Sequence, residues 1–128
     1  MPTLYIPRPG DLIRLTEDWS FGLYNEHRNE TLIRHLGHEF SWSWRHNDTP
    51  LCTATIPRGS VLKIDRVYVR KGSPDWDSVT FLWQGQRLPA RIEDNGYRQV
   101  RKPAQQVRFW AKLDETRTME FEPENARQ

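Results

Sequence analysis

The sequence predicts a mostly β domain: a small SH3-like or OB-like barrel of about seven short strands with at most one short helix. Three observations support this prediction. Apolar and polar side chains alternate along several short segments. From Gly59 onward the glycines recur every 11 to 13 residues, a spacing typical of turns between antiparallel strands. Prolines at positions 50, 57, 74, 89 and 103 add further interruptions.

A length of 128 residues indicates one domain. We expect the domain to span residues 1–122 and residues 123–128 to form a flexible tail. Aromatic residues make up 12% of the chain and include six tryptophans. Such rings supply a core that disordered chains lack.

The first predicted strands are short and alternate with a period of two. They span residues 11–16, 40–45 and 51–56. In the second of them Phe40, Trp42 and Trp44 share one face, opposite two serines and Arg45. That aromatic face is either core or an interface.

Residues 61–70 carry the strongest β pattern. Leu62 and Ile64 fall on one face and Val67 on the other, so we expect a β-bulge near Asp65 and Arg66. Further strands are predicted over 78–83 and 107–113, and a hairpin turn at 94–96 joins 87–92 to 97–100. After residue 113 the polar residues 114–116 predict a turn into a return strand through Met119 and Phe121.

One helix is predicted over residues 30–40, with Asn29 as its N-terminal cap. Gly37 within this window disfavours a helix. The alternative is a strand and a turn that lead into the aromatic strand.

Catalytic, metal and cofactor signatures are weak. His27, His35, His38 and His46 lie near Cys52 in sequence, but their spacing is not that of a zinc site, so we expect them on a polar face. Cys52 is expected to be an inert core thiol. We therefore predict no catalytic residue, no metal and no cofactor, although an enzyme with dispersed loop residues stays an alternative.

The first residues carry no basic and apolar leader pattern, and no apolar run approaches the ~20 residues that a membrane span needs. We expect a cytoplasmic protein, in the host cytosol if phage- or plasmid-encoded. Oligomeric state cannot be deduced from the sequence.

Aromatic and arginine residues indicate where a partner binds. Trp110 falls out of phase with its apolar neighbours, together with Arg108 and Lys112, so we expect an exposed ring between two cations. Trp76, in a charged turn, and Trp19, after an acidic pair, are further candidates for an exposed binding ring. The predicted binding residues are Trp110, Arg108, Lys112, Trp76, Arg66 and Arg70.

Nucleic acid is the alternative partner. The net charge of +2 is small, but residues 87–112 hold seven basic residues against two acidic ones. Barrels that bind nucleic acid combine such charge with stacking rings. The competing interpretation is a solvated face of mixed charge.

Three segments suggest a family: IPRGSVLKIDRVYVRKG at 56–72, WDSVTF at 76–81 and QVRFWAKLDETRTMEFE at 106–122. Together they resemble the small uncharacterised SH3-like β-barrel proteins of bacteriophages and plasmids. The resemblance implies an accessory protein that binds a host or phage component, and it assigns no residue a role. The sequence favours a non-catalytic module that engages a partner protein, such as an inhibitor of a host system.

Overall fold

The computed structural model describes residues 7–40, 49–72, 74–94 and 96–124. Within these ranges the chain forms nine strands: β1 (Leu12–Leu15), β2 (Trp19–Leu23), β3 (Cys52–Ile56), β4 (Val61–Tyr68), β5 (Ser78–Leu88), β6 (Arg91–Asp94), β7 (Gln99–Lys102), β8 (Gln105–Lys112) and β9 (Phe121–Pro123). One α-helix, α1, spans Glu30–His35. Three 3-10 helices span His27–Asn29, Pro74–Trp76 and Leu113–Thr118.

The strands form one five-stranded sheet in the order β8-β5-β4-β1-β9 and two pairs, β2-β3 and β6-β7, all antiparallel. The predicted mostly β class with one short helix is confirmed. The described strands form no closed barrel, so the finer prediction of a barrel is not confirmed.

The core lies between the five-stranded sheet and the β2-β3 pair. Phe81 and Phe109 face each other across β5 and β8, and both are fully buried. Phe21 stacks on Phe109 at 5.1 Å between ring centroids, and Trp19 meets Phe81 edge-on at 5.6 Å. Trp19, which we considered for an exposed role, is therefore a core residue, and its indole donates to the Glu115 carbonyl.

The bulge predicted near Asp65 and Arg66 is confirmed. The β4–β5 register shifts between Ile64 and Arg66, and the buried side of β4 changes there from Ile64 to Val67. From this point Arg66 and Tyr68 face away from the core.

The predicted return strand is wrong in its pairing. Residues after β8 form the 3-10 helix Leu113–Thr118, which carries the chain to the far edge of the sheet, where β9 pairs with β1. Pro123 pairs with Ile13, and Glu124 donates its N–H to the Leu12 carbonyl. Pro123 thus belongs to the sheet and Glu124 is hydrogen-bonded to β1, although we expected both in the flexible tail.

The predicted helix is shorter than expected. It ends at His35, and Gly37 follows at φ 90°, a conformation that glycine adopts without strain. Asn29 makes no capping hydrogen bond. Its side chain instead accepts from the Trp110 N–H and donates to the Tyr24 carbonyl.

The hydrogen bond from the Trp110 N–H to Asn29 protects the free edge of β8. Next to Asn29, Thr31 Oγ1 accepts from the Arg108 N–H at 2.8 Å and donates to the Arg108 carbonyl at 2.9 Å. Side chains thus occupy backbone groups that would otherwise be open to another strand.

Of the predicted aromatic strand 40–45, Phe40 packs against the core, while Trp42 and Trp44 lie outside the described residues.

Candidate functional site

The candidate site is the outer face of β4, β5 and β8, the side of the sheet that points away from the core. Register brings its side chains into rows across the three strands. The rows are Lys63, Leu82 and Arg108; then Arg66, Thr80 and Trp110; then Tyr68, Ser78 and Lys112. We call this surface, with Tyr24, Glu26, Arg28 and Trp76 that lie against it, the outer face.

Trp110 points to the outer face, as the alternation predicted, but it is not exposed. Only 5% of its surface is accessible. Tyr24 stacks on the indole at 5.3 Å between centroids and 8° between planes. The prediction of an exposed Trp110 is wrong because the segment that follows β2 folds over this face.

Arg28 lies over two rings. Its guanidinium carbon is 5.0 Å from the centroid of Tyr68 and 5.4 Å from that of Trp110. Cation–π contacts of this kind contribute about 0.5–2 kcal/mol each, depending on solvation. They hold the guanidinium on the outer face, where 29% of the Arg28 side chain is accessible.

Glu26 pairs with Arg28 at 2.9 Å between Oε2 and NH2. Burial opposes ionisation of Glu26, but the hydrogen bonds and the charge of Arg28 outweigh it, so the pKa of Glu26 lies below its usual range. In the free protein Glu26 is therefore ionised and paired with the Arg28 guanidinium.

A second cation lies beside the first cluster. Lys112 Nζ is 4.4 Å from the ring centroid of Trp76 and 5.4 Å from that of Tyr24. Trp76 also meets Tyr24 edge-on at 5.6 Å. Tyr24 thus contacts Trp76, Lys112 and Trp110, so these three predicted residues lie in one cluster, in which Trp76 is half-buried.

Two buried polar atoms of the outer face form no hydrogen bond with the described residues. They are Thr80 Oγ1 and Trp110 Nε1, which belong to directly opposite residues of β5 and β8. The indole N–H is close enough to Glu26 to help lower its pKa, but it lies outside hydrogen-bond geometry. Unpaired buried polar groups are costly and call for an explanation.

The other predicted residues lie around this cluster. Arg66 is 66% exposed and donates to the Tyr68 hydroxyl at 3.2 Å, which lowers the pKa of that phenol. Arg70 follows β4, and its N–H donates to Asp77. Arg108 is exposed one row from Trp110, beside Thr31.

Sequence reasoning did not include Tyr24, Arg28 or Tyr68 in the site. Tyr68 lies two positions after Arg66 on the same strand, beyond the bulge, so the sequence pattern predicted that both side chains lie on the same face. Tyr24 and Arg28 lie in a segment without periodicity, and no pattern indicated that it covers Trp110.

Elsewhere, a shallow groove of about 670 Å³ is lined by residues of β1, β4 and β5 and by the turn before β4. Its charged residues are Arg58 and Glu124, and Glu124 pairs with Arg14. Glu124 is thus engaged with Arg14.

The described part of the chain contains no group of three or more residues suited to hold a metal. His35 lies against Trp83 and His27 near Glu30, while His46 is outside the described ranges. Cys52 is half-buried, and burial raises the pKa of its thiol. None of the described helices is long and apolar enough to cross a membrane.

Comparisons with protein-family models, curated proteins and solved structures find no match to this chain.

Proposed function

We propose that this protein is a non-catalytic binding module that engages an acidic partner protein through the outer face. The observation that carries the proposal is Arg28, held against Tyr68 and Trp110 with its charge still accessible. Tryptophan, tyrosine and arginine are the residues that dominate binding energy at protein interfaces.

The chemistry of the partner follows from the charges. Arg28 already binds one carboxylate, that of Glu26. Two further cations contact the same group of rings: Arg66 donates to the Tyr68 hydroxyl, and Lys112 lies over Tyr24. A carboxylate of the partner competes with Glu26 for the Arg28 guanidinium, because a guanidinium group binds carboxylates with two parallel hydrogen bonds. Local electrostatics thus favour an acidic partner.

Two unpaired atoms lie beneath the same site: the Trp110 indole N–H, a donor, and the Thr80 hydroxyl, a donor or an acceptor. Both are sealed from solvent, so a partner group pairs with the indole only if the segment that covers Trp110 moves aside.

The resemblance to phage and plasmid proteins extends the proposal: the partner is a component of a host system that this module occupies or inhibits.

The test uses exposed residues, because truncating buried Trp110 would disturb the fold. The variant Arg66→Ala/Tyr68→Ala removes two accessible groups of the outer face, and Arg8→Ala/Arg117→Ala removes two exposed arginines elsewhere. All three proteins are used for affinity purification, and the affinity of the captured partner is then measured by titration.

We expect the outer-face variant to keep its circular dichroism spectrum and to weaken binding at least 10-fold, while the control stays within about twofold. Equal affinity of the outer-face variant and the wild-type protein would refute the proposal.

A further inference from the structure

The inference concerns the hairpin that leaves the sheet between β5 and β8. Arg87 pairs with Gln106 and Leu88 with Gln105, and β6 and β7 continue in the same register from the Arg91–Lys102 pair to the Asp94–Gln99 pair. The described residues between 87 and 106 are therefore one antiparallel ribbon, which we call the arm.

The arm is interrupted at one level. In the shared register Pro89 lies opposite Ala104, and Ala90 lies opposite Pro103. Proline has no N–H to donate, so the ladder breaks in both strands at the same place. The distal part of the arm is thereby separated from the five-stranded sheet and forms a sheet of its own.

The acidic residues of the arm already have partners within the protein. Glu93 faces α1, where it accepts from Arg91 at 2.7 Å and lies 3.6 Å from Arg34. Asp94 is used in the turn, where its side chain accepts from the Gly96 N–H. The acidic groups of the arm are thus engaged within the protein.

The basic residues of the arm differ in exposure. Arg87 and Arg101 are exposed, and neither forms an ion pair with another residue of the described chain. Arg98 is exposed near the tip, and Lys102 is half-buried. Tyr97 at the tip is 95% exposed, and Ile92, opposite Arg101, is 62% exposed.

From this geometry we infer that the arm binds duplex DNA, with the ribbon in the major groove. A two-stranded ribbon is a shape that this groove admits, whereas the deep and narrow major groove of duplex RNA does not. The eight residues from 87 to 94 span about 27 Å at ~3.4 Å each, enough to follow the groove. Arginines along the ribbon contact phosphates, and Tyr97 contacts base edges or sugars.

This site is separate from the outer face. Of the basic residues at 87–112, Arg108 and Lys112 belong to that face, and the rest belong to the arm. The two sites can therefore be tested independently.

The test is fluorescence anisotropy with a labelled DNA duplex of about 20 bp at 50 and 200 mM salt. Contacts from Arg87, Arg98, Arg101 and Lys102 give a slope of log affinity against log salt of about −3.6, since each contact contributes roughly −0.9. The fourfold rise in salt should then weaken binding about 150-fold.

Removing two cations of the arm tests how much the arm contributes to the salt dependence of binding. We expect Arg87→Ala/Arg101→Ala to reduce the slope to about −1.8, so that the same salt change costs only about 12-fold. Arg87→Lys/Arg101→Lys should keep the wild-type slope, because it keeps both charges. Tyr97→Ala should weaken duplex binding with an unchanged slope.

The control Arg8→Ala/Arg117→Ala removes the same charge from two exposed arginines outside the arm, and it should leave the slope unchanged. Absence of duplex binding at 50 mM salt, equal loss in this control, or equally tight binding of the matching single strand would each overturn the inference. Duplex binding that follows the arm variants alone would support it.

Discussion

Asn29 offers the most direct test of how the outer face is held together. Its side chain is fully buried and joins two backbone groups: Oδ1 accepts from the Trp110 N–H at 2.8 Å, and Nδ2 donates to the Tyr24 carbonyl at 3.0 Å. Through these bonds it fixes the segment carrying Tyr24 and Arg28 onto β8.

The variant Asn29→Ala leaves the Trp110 N–H without its partner, at a cost of about 1–3 kcal/mol. The Tyr24 carbonyl keeps the bond from the Glu26 N–H and loses one bond, about 1 kcal/mol. We therefore expect a loss of about 2–4 kcal/mol in the free energy of unfolding, and a fall in melting temperature on the order of 10 °C.

The assay is urea unfolding followed by circular dichroism, with linear extrapolation to water. Thr31→Val is the matched control, because Thr31 bonds the same strand edge at a site that water reaches, so its loss should stay below about 1 kcal/mol. A loss no greater for Asn29→Ala than for Thr31→Val would refute this reasoning.

Two further predictions concern packing and pH. In Gly22→Ala the added Cβ would lie 2.9 Å from Pro50 Cγ, so we expect the free energy of unfolding in urea to fall by about 1–3 kcal/mol. The control Ser20→Ala, on the exposed side of β2, should cost about 1 kcal/mol or less, and equal losses would argue against the close contact. The pKa of Glu26 is lowered from its ordinary value of 4.5, so this carboxylate contributes stability above that pH and loses it as the pH falls through the folded-state pKa. Between pH 6 and pH 3 the wild-type protein should therefore lose more unfolding free energy than Arg28→Ala, and parallel pH profiles would contradict the pairing.

Local patterns predicted those parts of the fold that depend on side-chain direction. The alternation over β3, β4 and β8 is visible in the sequence, and the bulge near Asp65 follows from a change of phase. The strand β2 has the same signal in Trp19, Phe21 and Leu23, but it is not among the predicted strands.

Strand pairing was not predictable in the same way. Whether the strand after Thr118 returns to β8 or crosses to β1 depends on contacts between residues more than 100 positions apart. The side-chain period contains no information on this choice.

The binding site shows the same division. The direction of Trp110 followed from its phase, but its burial depends on Tyr24, which lies 86 positions earlier in the chain. Single-sequence reasoning therefore located the face and misjudged which of its residues are accessible. In its rows across β4, β5 and β8, the exposed residues are Lys63, Arg66, Tyr68 and Arg108.

The most direct test of the outer face is hydrogen–deuterium exchange on the wild-type protein, with and without the partner that it captures. We expect slower exchange in residues 24–28, 66–70 and 110–112 when the partner is present, and no change in the arm. Protection confined to other segments, with exchange on the outer face unchanged, would contradict the account.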